Sequence, residues 1–480
     1  MARTVLVHGN PLPRRGPGPM SARRKASALI QKFAKQPGSD QDQIVAQLIE
    51  LGEEAVEVLA KSLEHKAYQV RVVAATALGR LRATEAVPAL VSILSDSSVN
   101  AQQAAAHALA QVGDAAVPAL LDALIGRDQS ARRWAAEALG NIGDESVAQQ
   151  LVQRLTDQNV DVQRAAVTAL GDLKSSRAIQ PLLNVLDLDN VELARAAAEA
   201  LGKIRGPVVV EPLARALASP SADVRAAAAQ SLQQVGKRAV AVVIRQLEQG
   251  GDTVRPIAAE ILGNIADPQA LPALLAALSD PNERVVRYAA IAVGHIRGPR
   301  ARPALVKLLD HSQEDVRFAA VKALALLGTK TVAKYLTRRL KDSDWVVRLT
   351  AAKGLGVVGT PQAVKPLTLA LKDGEWSVAY HACHALGQIG DKQAVPALLK
   401  VLGHWDGRVR RAAVAALGGI GDPRAADALR AALKDPDDRV KEAANEALVA
   451  LEEAAARRRA KRQRPTPARK PPTPAKAKSR

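Results

Sequence analysis

Apolar residues recur along most of this chain at positions i, i+4, i+7 and i+11, the spacing of one buried helical face. In the stretch 409–420, Val409, Ala413, Ala416 and Ile420 fall on one stripe, with Arg410 and Arg411 beside it. A second apolar helix precedes it, opening at Val395-Pro396 after Asp391. That aspartate is expected to act as an N-cap and Pro396 to sit in the first turn. The two are joined by a polar loop at 403–408. Gly421 stands where a left-handed residue is needed to end the second helix. No stretch alternates with the period of two that a β-strand needs.

This two-helix pattern repeats. The small residue after Ala-Leu can be followed from Gly79 through Gly140, Gly202, Gly294 and Gly387 to Val449, and twelve successive intervals are each 30 or 31 residues. A degenerate unit at 44–63 precedes them, so about fourteen units are expected. Units this short bury their faces only against their neighbours. The expected fold is all-α, an α-solenoid of stacked helix pairs over 40–453, with a basic segment at 1–39 and a basic tail at 454–480.

Val-Arg-x-x-Ala-Ala-x-Ala-Leu-Gly-x-Ile-Gly-Asp followed by Ala-Val-Pro-Ala-Leu-Leu resembles the short HEAT repeats of the phycobilisome-lyase HEAT-like family, over about 410 of the 480 residues. That family spans scaffolds, bilin lyases and a metal hydroxylase, so the resemblance specifies fold rather than function. It also implies a ladder between units, in which an Arg at the second position of each second helix meets a loop Asp. The arginines are Arg71, Arg132, Arg225, Arg255, Arg317, Arg348 and Arg410; the aspartates include Asp96, Asp157, Asp280, Asp342, Asp373 and Asp435. Gln102, Gln163, Ala194 and Ala379 interrupt it. The resemblance further implies that the second helices line a concave side.

Composition changes this picture little, but charge does. The chain is 48% apolar with ten aromatic residues, so its core is built from Ala, Leu, Val and Ile. Its single Cys383 excludes a disulfide framework, no window reaches 18 consecutive apolar residues, and a cytoplasmic protein without a membrane span is expected. The formal charge is +19. Residues 1–39 contribute +8 and 454–480 contribute +11, leaving the body neutral. Both ends are rich in Pro and read as disordered. Within the first, residues 22–35 are expected to form a basic amphipathic helix with Ala26, Leu29, Ile30 and Phe33 on one side, docking as a cap. Residues 1–19 read either as coding sequence or as an extension upstream of a start at Met20. In the tail, Arg457, Arg458, Arg459, Lys461, Arg462, Arg464, Arg469 and Lys470 are candidate polyanion contacts.

Candidate chemistry is sparse. Helical geometry sends positions 3, 7 and 11 of each second helix to solvent, and position 4 and the two residues before the first Val border that stripe. Tyr68 and Trp134 fall in these registers, as do Tyr288, Phe318, Trp345, Trp376 and Tyr380. With Leu349 the last five are expected to form a continuous apolar patch for a protein or peptide client, with His381 and His384 as polar contributors. Arg133, Arg164 and Arg195 form a second stripe, suited to anions unless Glu137 and Glu199 neutralise it. His381 and His384 share a helical face but lack a third ligand, Cys383 being directed toward packing, so no metal is expected. Gly354-x-Gly356-x-x-Gly359 imitates a dinucleotide fingerprint but ends a helix rather than opening one, and Gly354 is expected to weaken that helix. No cofactor and no oligomer is expected. The absence of a His-Glu dipeptide argues against a hydroxylase of this repeat class. The leading reading is a non-enzymatic scaffold or adaptor. The alternatives are a nucleic-acid-associated protein acting through its tails, and a bilin-lyase-like enzyme or chaperone.

Overall fold

The computed structural model describes residues 21–36 and 40–462, and among them there is no β-strand. The chain divides into two compact units, one ending at Ala239 and the other beginning at Val240. Both are α-solenoids of paired helices, termed A and B in chain order. A helices are short, typically seven residues as in Val395–Val401, and follow a 3-10 turn such as Lys392–Ala394. Asp391 therefore caps that turn, accepting the Gln393 N–H at 2.8 Å, rather than the α-helix itself. B helices run 14 residues in most repeats, as in Gly407–Ile420, and end at a left-handed residue such as Gly421 (φ 65°). Arg205, Ala266 and Arg297 take the same left-handed position without glycine's freedom.

The first pair differs from the sequence expectation. Gln41–Ile49 stacks on the B helix Tyr68–Arg80, and Ala22–Lys35 packs against both Gln41–Ile49 and the A helix Val56–Ser62. Residues 44–63 thus belong to two pairs, and the basic helix is the A helix of the first. Ala26, Ile30 and Phe33 are its buried face. At the other end the last B helix, Asp438–Arg462, continues nine residues into the segment expected to be tail. Its Ala, Glu, Arg and Lys content favours helix. Val99–Leu124 is apolar and long enough in composition to cross a membrane. Gly113 (φ 82°) breaks it into a B helix, Val99–Val112, and the next A helix, Val117–Leu124, whose Leu109 and Leu120 are core.

Neighbouring B helices approach until backbones nearly touch. A Cβ added at Gly140 would stand 2.7 Å from Ala169 Cα, and one at Gly294 2.7 Å from Ala323 Cα. The tenth position of one helix faces the eighth of the next, and in most repeats one of the two is glycine, Ala110 and Ala138 being an exception. Gly354 obeys the same rule in reverse. Where Ala325 replaces glycine at the tenth position, glycine appears at the eighth of the following helix, and a Cβ there would lie 2.8 Å from Ala325 Cβ. Gly354 is a packing complement, not a weak point.

The Arg–Asp ladder is formed by six of the seven arginines. Arg71 meets Asp96 at 2.6 Å, and Arg132, Arg255, Arg317, Arg348 and Arg410 each grip the aspartate 25 residues on through two nitrogens. Arg317 also donates to the His311 and Ser312 carbonyls, while Asp342 accepts the Asp344 N–H at 3.1 Å. Arg225 has Gly250 at that spacing and holds only the Ser219 and Pro220 carbonyls. Gln102 and Gln163 lack the ion pair and donate instead to the carbonyls of their own loops, Asp96 and Asp157.

Burial alone would raise the Asp342 carboxyl, but the Arg317 hydrogen bonds, the Asp344 amide and the charges of Arg317 and Arg339 hold it below 3.8. Asp435, held chiefly by the Arg410 hydrogen bonds, shifts the same way. Because these carboxyls bind protons less readily folded than unfolded, the rungs stabilise fully above the unfolded carboxylate range near 4. That contribution is lost as pH falls through the depressed folded values.

Two outcomes test this packing. Gly354→Ala, despite better helix propensity, is expected to lower stability by about 1–3 kcal/mol in thermal or urea melts, and adding Ala325→Gly to restore most of it. Asp342→Asn, which leaves Arg317 half-satisfied in a buried rung, is expected to cost about 3 kcal/mol at neutral pH. The gap from wild type should close as pH drops below about 4.

Candidate interaction face

In the second unit the B helix Trp376–Ile389 presents Trp376, Tyr380 and His384 one turn apart on one face, with His381 alongside. The spacing i, i+4, i+8 makes them meet. Trp376 and Tyr380 sit edge to face at 6.3 Å, Tyr380 and His384 at 4.6 Å, and Tyr380 and His381 at 5.1 Å. Trp376, Tyr380 and His381 are half-buried and His384 is exposed. The next B helix, Gly407–Ile420, lays the Arg408 guanidinium over the Trp376 ring, 3.4 Å from its centroid. Asp406 fixes that guanidinium through bonds of 2.7 and 3.1 Å. Those bonds hold the Asp406 carboxyl down to about 2.

The two imidazoles are neutral at physiological pH. Burial first, then the positive charge of Lys353 and the neighbouring His384, push His381 down to about 4. Burial and Arg411 lower His384. Cys383 points into the core, and burial pushes its thiol up to about 12, so it is neither a nucleophile nor a ready ligand. Among the described residues no three His, Cys, Asp or Glu side chains are grouped to hold a metal.

No ring contact joins the remaining aromatic residues to this cluster among the described residues. Tyr288, Phe318 and Leu349 are half-buried, and Trp345 is 43% exposed. None of these rings contacts another aromatic ring among the described residues. Each of two is paired with a cation instead: Arg287 lies 4.8 Å over Tyr288, and Lys322 6.0 Å from Phe318. Cations thus border the expected apolar strip at Tyr288 and Phe318. Trp134 also departs from expectation. It is buried, and its indole N–H donates to Gln102 Oε1 at 2.8 Å.

The upstream arginines are mostly engaged. Arg164 pairs with Asp161 at 2.6 Å and Arg195 with Glu199 at 2.7 Å, while Arg133 stacks 4.7 Å from Trp134. The hollow of about 400 Å³ between Arg133 and Arg164 is also lined by Glu137, Asp161 and Asp172. Of the tail cations, Arg457, Arg458, Arg459, Lys461 and Arg462 fall on the last helix, and Arg464, Arg469 and Lys470 lie outside the described residues.

Sequence reasoning missed Trp405. It is 72% exposed in an A-to-B loop and stacks on His404 at 5.3 Å. With Leu369, Pro396, Lys372 and Lys400 it borders a groove of about 730 Å³ beside two A helices. The loop reads as polar and lies outside the helical register, so periodicity carries no signal for it.

A family model described as HEAT repeats matches residues 56–139, 117–202, 148–233, 181–255, 240–325, 303–379 and 364–449. The chain belongs to the HEAT-repeat family. Its fold is similar to Kap95p in a structure with RanGDP, at a TM-score of 0.63 and 15% identity, over 92% of this chain and 69% of that one. It is similar to importin beta crystallised in ammonium sulfate, at a TM-score of 0.59 and 17% identity, over 90% and 68%. Kap121p bound to Nup53p gives 0.51 and 14%, over 91% and 62%. At these identities the likeness is one of fold. No curated protein matches the chain.

Since His381 gains protons more readily unfolded than folded, its contribution to stability is complete above about 6.5 and declines as pH falls toward 4. NMR titration of the His381 ring is expected to give a midpoint near 4. His381→Gln should flatten the pH dependence of stability between 6.5 and 4.

Proposed function

We propose that this protein is a non-enzymatic scaffold or adaptor that grips a protein or peptide client on the B-helix face of its second unit. The observation that carries the reading is the Trp376–Tyr380–His384 chain of rings, partly exposed and already ordered by Arg408. Rings held in place lose little conformational freedom on binding, and Trp, Tyr and Arg are the residue types that dominate protein interfaces. Tyr288, Phe318, Leu349 and Trp345, with the cations beside Tyr288 and Phe318, extend the same chemistry along neighbouring repeats and suit a client with apolar side chains next to acidic groups. The similar folds support a protein client, since Kap95p is described with RanGDP and Kap121p with Nup53p. The basic ends add affinity for a polyanion. The repeat motif resembles the short phycobilisome-lyase HEAT-like repeats, and we read it as serving a scaffold. A bilin site needs free cations, and Arg164 and Arg195 are paired.

Trp376→Ala with Tyr380→Ala is expected to lose the client recovered by wild type from nuclease-treated lysate. Titration with that purified client should show affinity lower by at least about tenfold, because removing one hot-spot aromatic costs about 2 kcal/mol or more. The thermal melt should stay nearly unchanged. An unaltered affinity places the client elsewhere.

A further inference from the structure

The body of the chain is neutral, yet the structure sorts its charge by helix. In four successive repeats of the second unit, the 3-10 turn and A helix together span 299–308, 330–339, 361–370 and 392–401. None of these segments contains Asp or Glu. They carry Arg302, Lys330, Lys334, Arg338, Lys365 and Lys400, all exposed, and none of the six forms an ion pair among the described residues. Of the acids nearest in sequence, Asp310 and Asp342 pair with Arg339 at the end of the second segment, Asp342 also with Arg317 and Asp373 with Arg348, while Asp391 caps the turn of the fourth. A helices of the first unit differ, with Glu53, Glu54, Glu57 and Glu211 in the same kind of position.

At the centre of this face lies a groove of about 790 Å³, lined by Lys330, Lys334, Thr331, Thr337, Thr360 and Gln362 without a single acid. Thr360 is only 5% exposed, and its Oγ1 is buried with no hydrogen-bond partner. It stands where Asp391 and Asp422 cap the turns of later repeats, so the negative group of the repeat is missing at this groove. Arg302 reaches across from the preceding A helix to the Thr331 hydroxyl at 2.9 Å.

We propose that this acid-free A-helix face binds the phosphate backbone of a nucleic acid. Lysines act as point charges, which suits a continuous polyanion better than the forked recognition of single carboxylates. Thr and Gln side chains are the neutral donors that accompany them at phosphates. Four helices packed about 8–10 Å apart extend over roughly 30 Å, the length of about nine base pairs. The acid-free ends of the chain carry the same sign and would add to the attraction. This site is independent of the client face.

The test uses the full chain with two fluorescein-labelled probes, a DNA duplex and a single-stranded RNA, and reads anisotropy over a range of salt concentrations. The triple variant Lys330→Ala, Lys334→Ala, Lys365→Ala changes only exposed side chains. It is expected to weaken binding and to reduce the slope of log affinity against log salt by about 2–3, near one per lost phosphate contact. Arg302→Ala with Lys400→Ala, on two other helices, should subtract a further increment and gives an independent reading should the triple variant misfold. Trp376→Ala with Tyr380→Ala should leave the slope unchanged, which separates this proposal from the client face. The two probes distinguish duplex from single strand, and either one losing slope supports the site. Wild-type affinity and slope in both cation variants overturn it and leave any binding to the ends of the chain. Loss of polyglutamate binding with nucleic-acid binding intact overturns it in favour of an acidic protein.

Discussion

Everything in this fold depends on how closely neighbouring B helices approach. At most crossings, the tenth residue of one helix meets the eighth of the next so closely that a Cβ added to the glycine of the pair would collide with its neighbour. Glycine against alanine satisfies that constraint in most repeats, and Ala325 against Gly354 satisfies it with the roles exchanged. Because dispersion and apolar burial both fall steeply with distance, this approach lets a core of Ala, Leu and Val hold together with few aromatic rings. It also sets the spacing at which a loop aspartate arrives opposite the arginine 25 residues earlier.

That ladder has an electrostatic consequence. The loop aspartates are nearly buried and fully engaged by guanidinium groups and backbone amides, so they contribute little negative potential to the surface. Where the A helices of the second unit also lack acids of their own, their lysines face solvent unopposed. A chain body that sums to zero thus still carries, along one set of helices, exposed cations with no ion-pair partner among the described residues. Net charge is a property of composition, whereas surface potential depends on which charges are consumed by internal pairs.

On the B-helix side the same helical period that builds the core also places Trp376, Tyr380 and His384 in one column. Their usefulness comes from what surrounds them. Arg408, pinned by Asp406, keeps Trp376 in place, and burial together with Lys353 keeps His381 neutral. The outcome is an ordered surface that is apolar in its rings and cationic at its rim, a combination that favours a partner offering both features.

The helical period, the 30- to 31-residue repeat and the glycine that ends many of the B helices determined the α-solenoid, the pairing of helices and most of the Arg–Asp rungs. These are local or next-neighbour properties, and in a repeat protein next-neighbour contacts are nearly all the contacts there are. The first pair escaped because its helices lack the repeat's signature residues, and Ala22–Lys35 reveals itself as an A helix only by what it packs against. Tertiary structure alone decided which side chains remain available. Trp134 fell into the core because Gln102 could receive its indole N–H, Trp405 stayed exposed because its loop lies outside the helical register, and Tyr288 and Phe318 each found a cation rather than another ring. Register along one helix says which way a residue points, but only the packed neighbour decides whether anything is there to meet it.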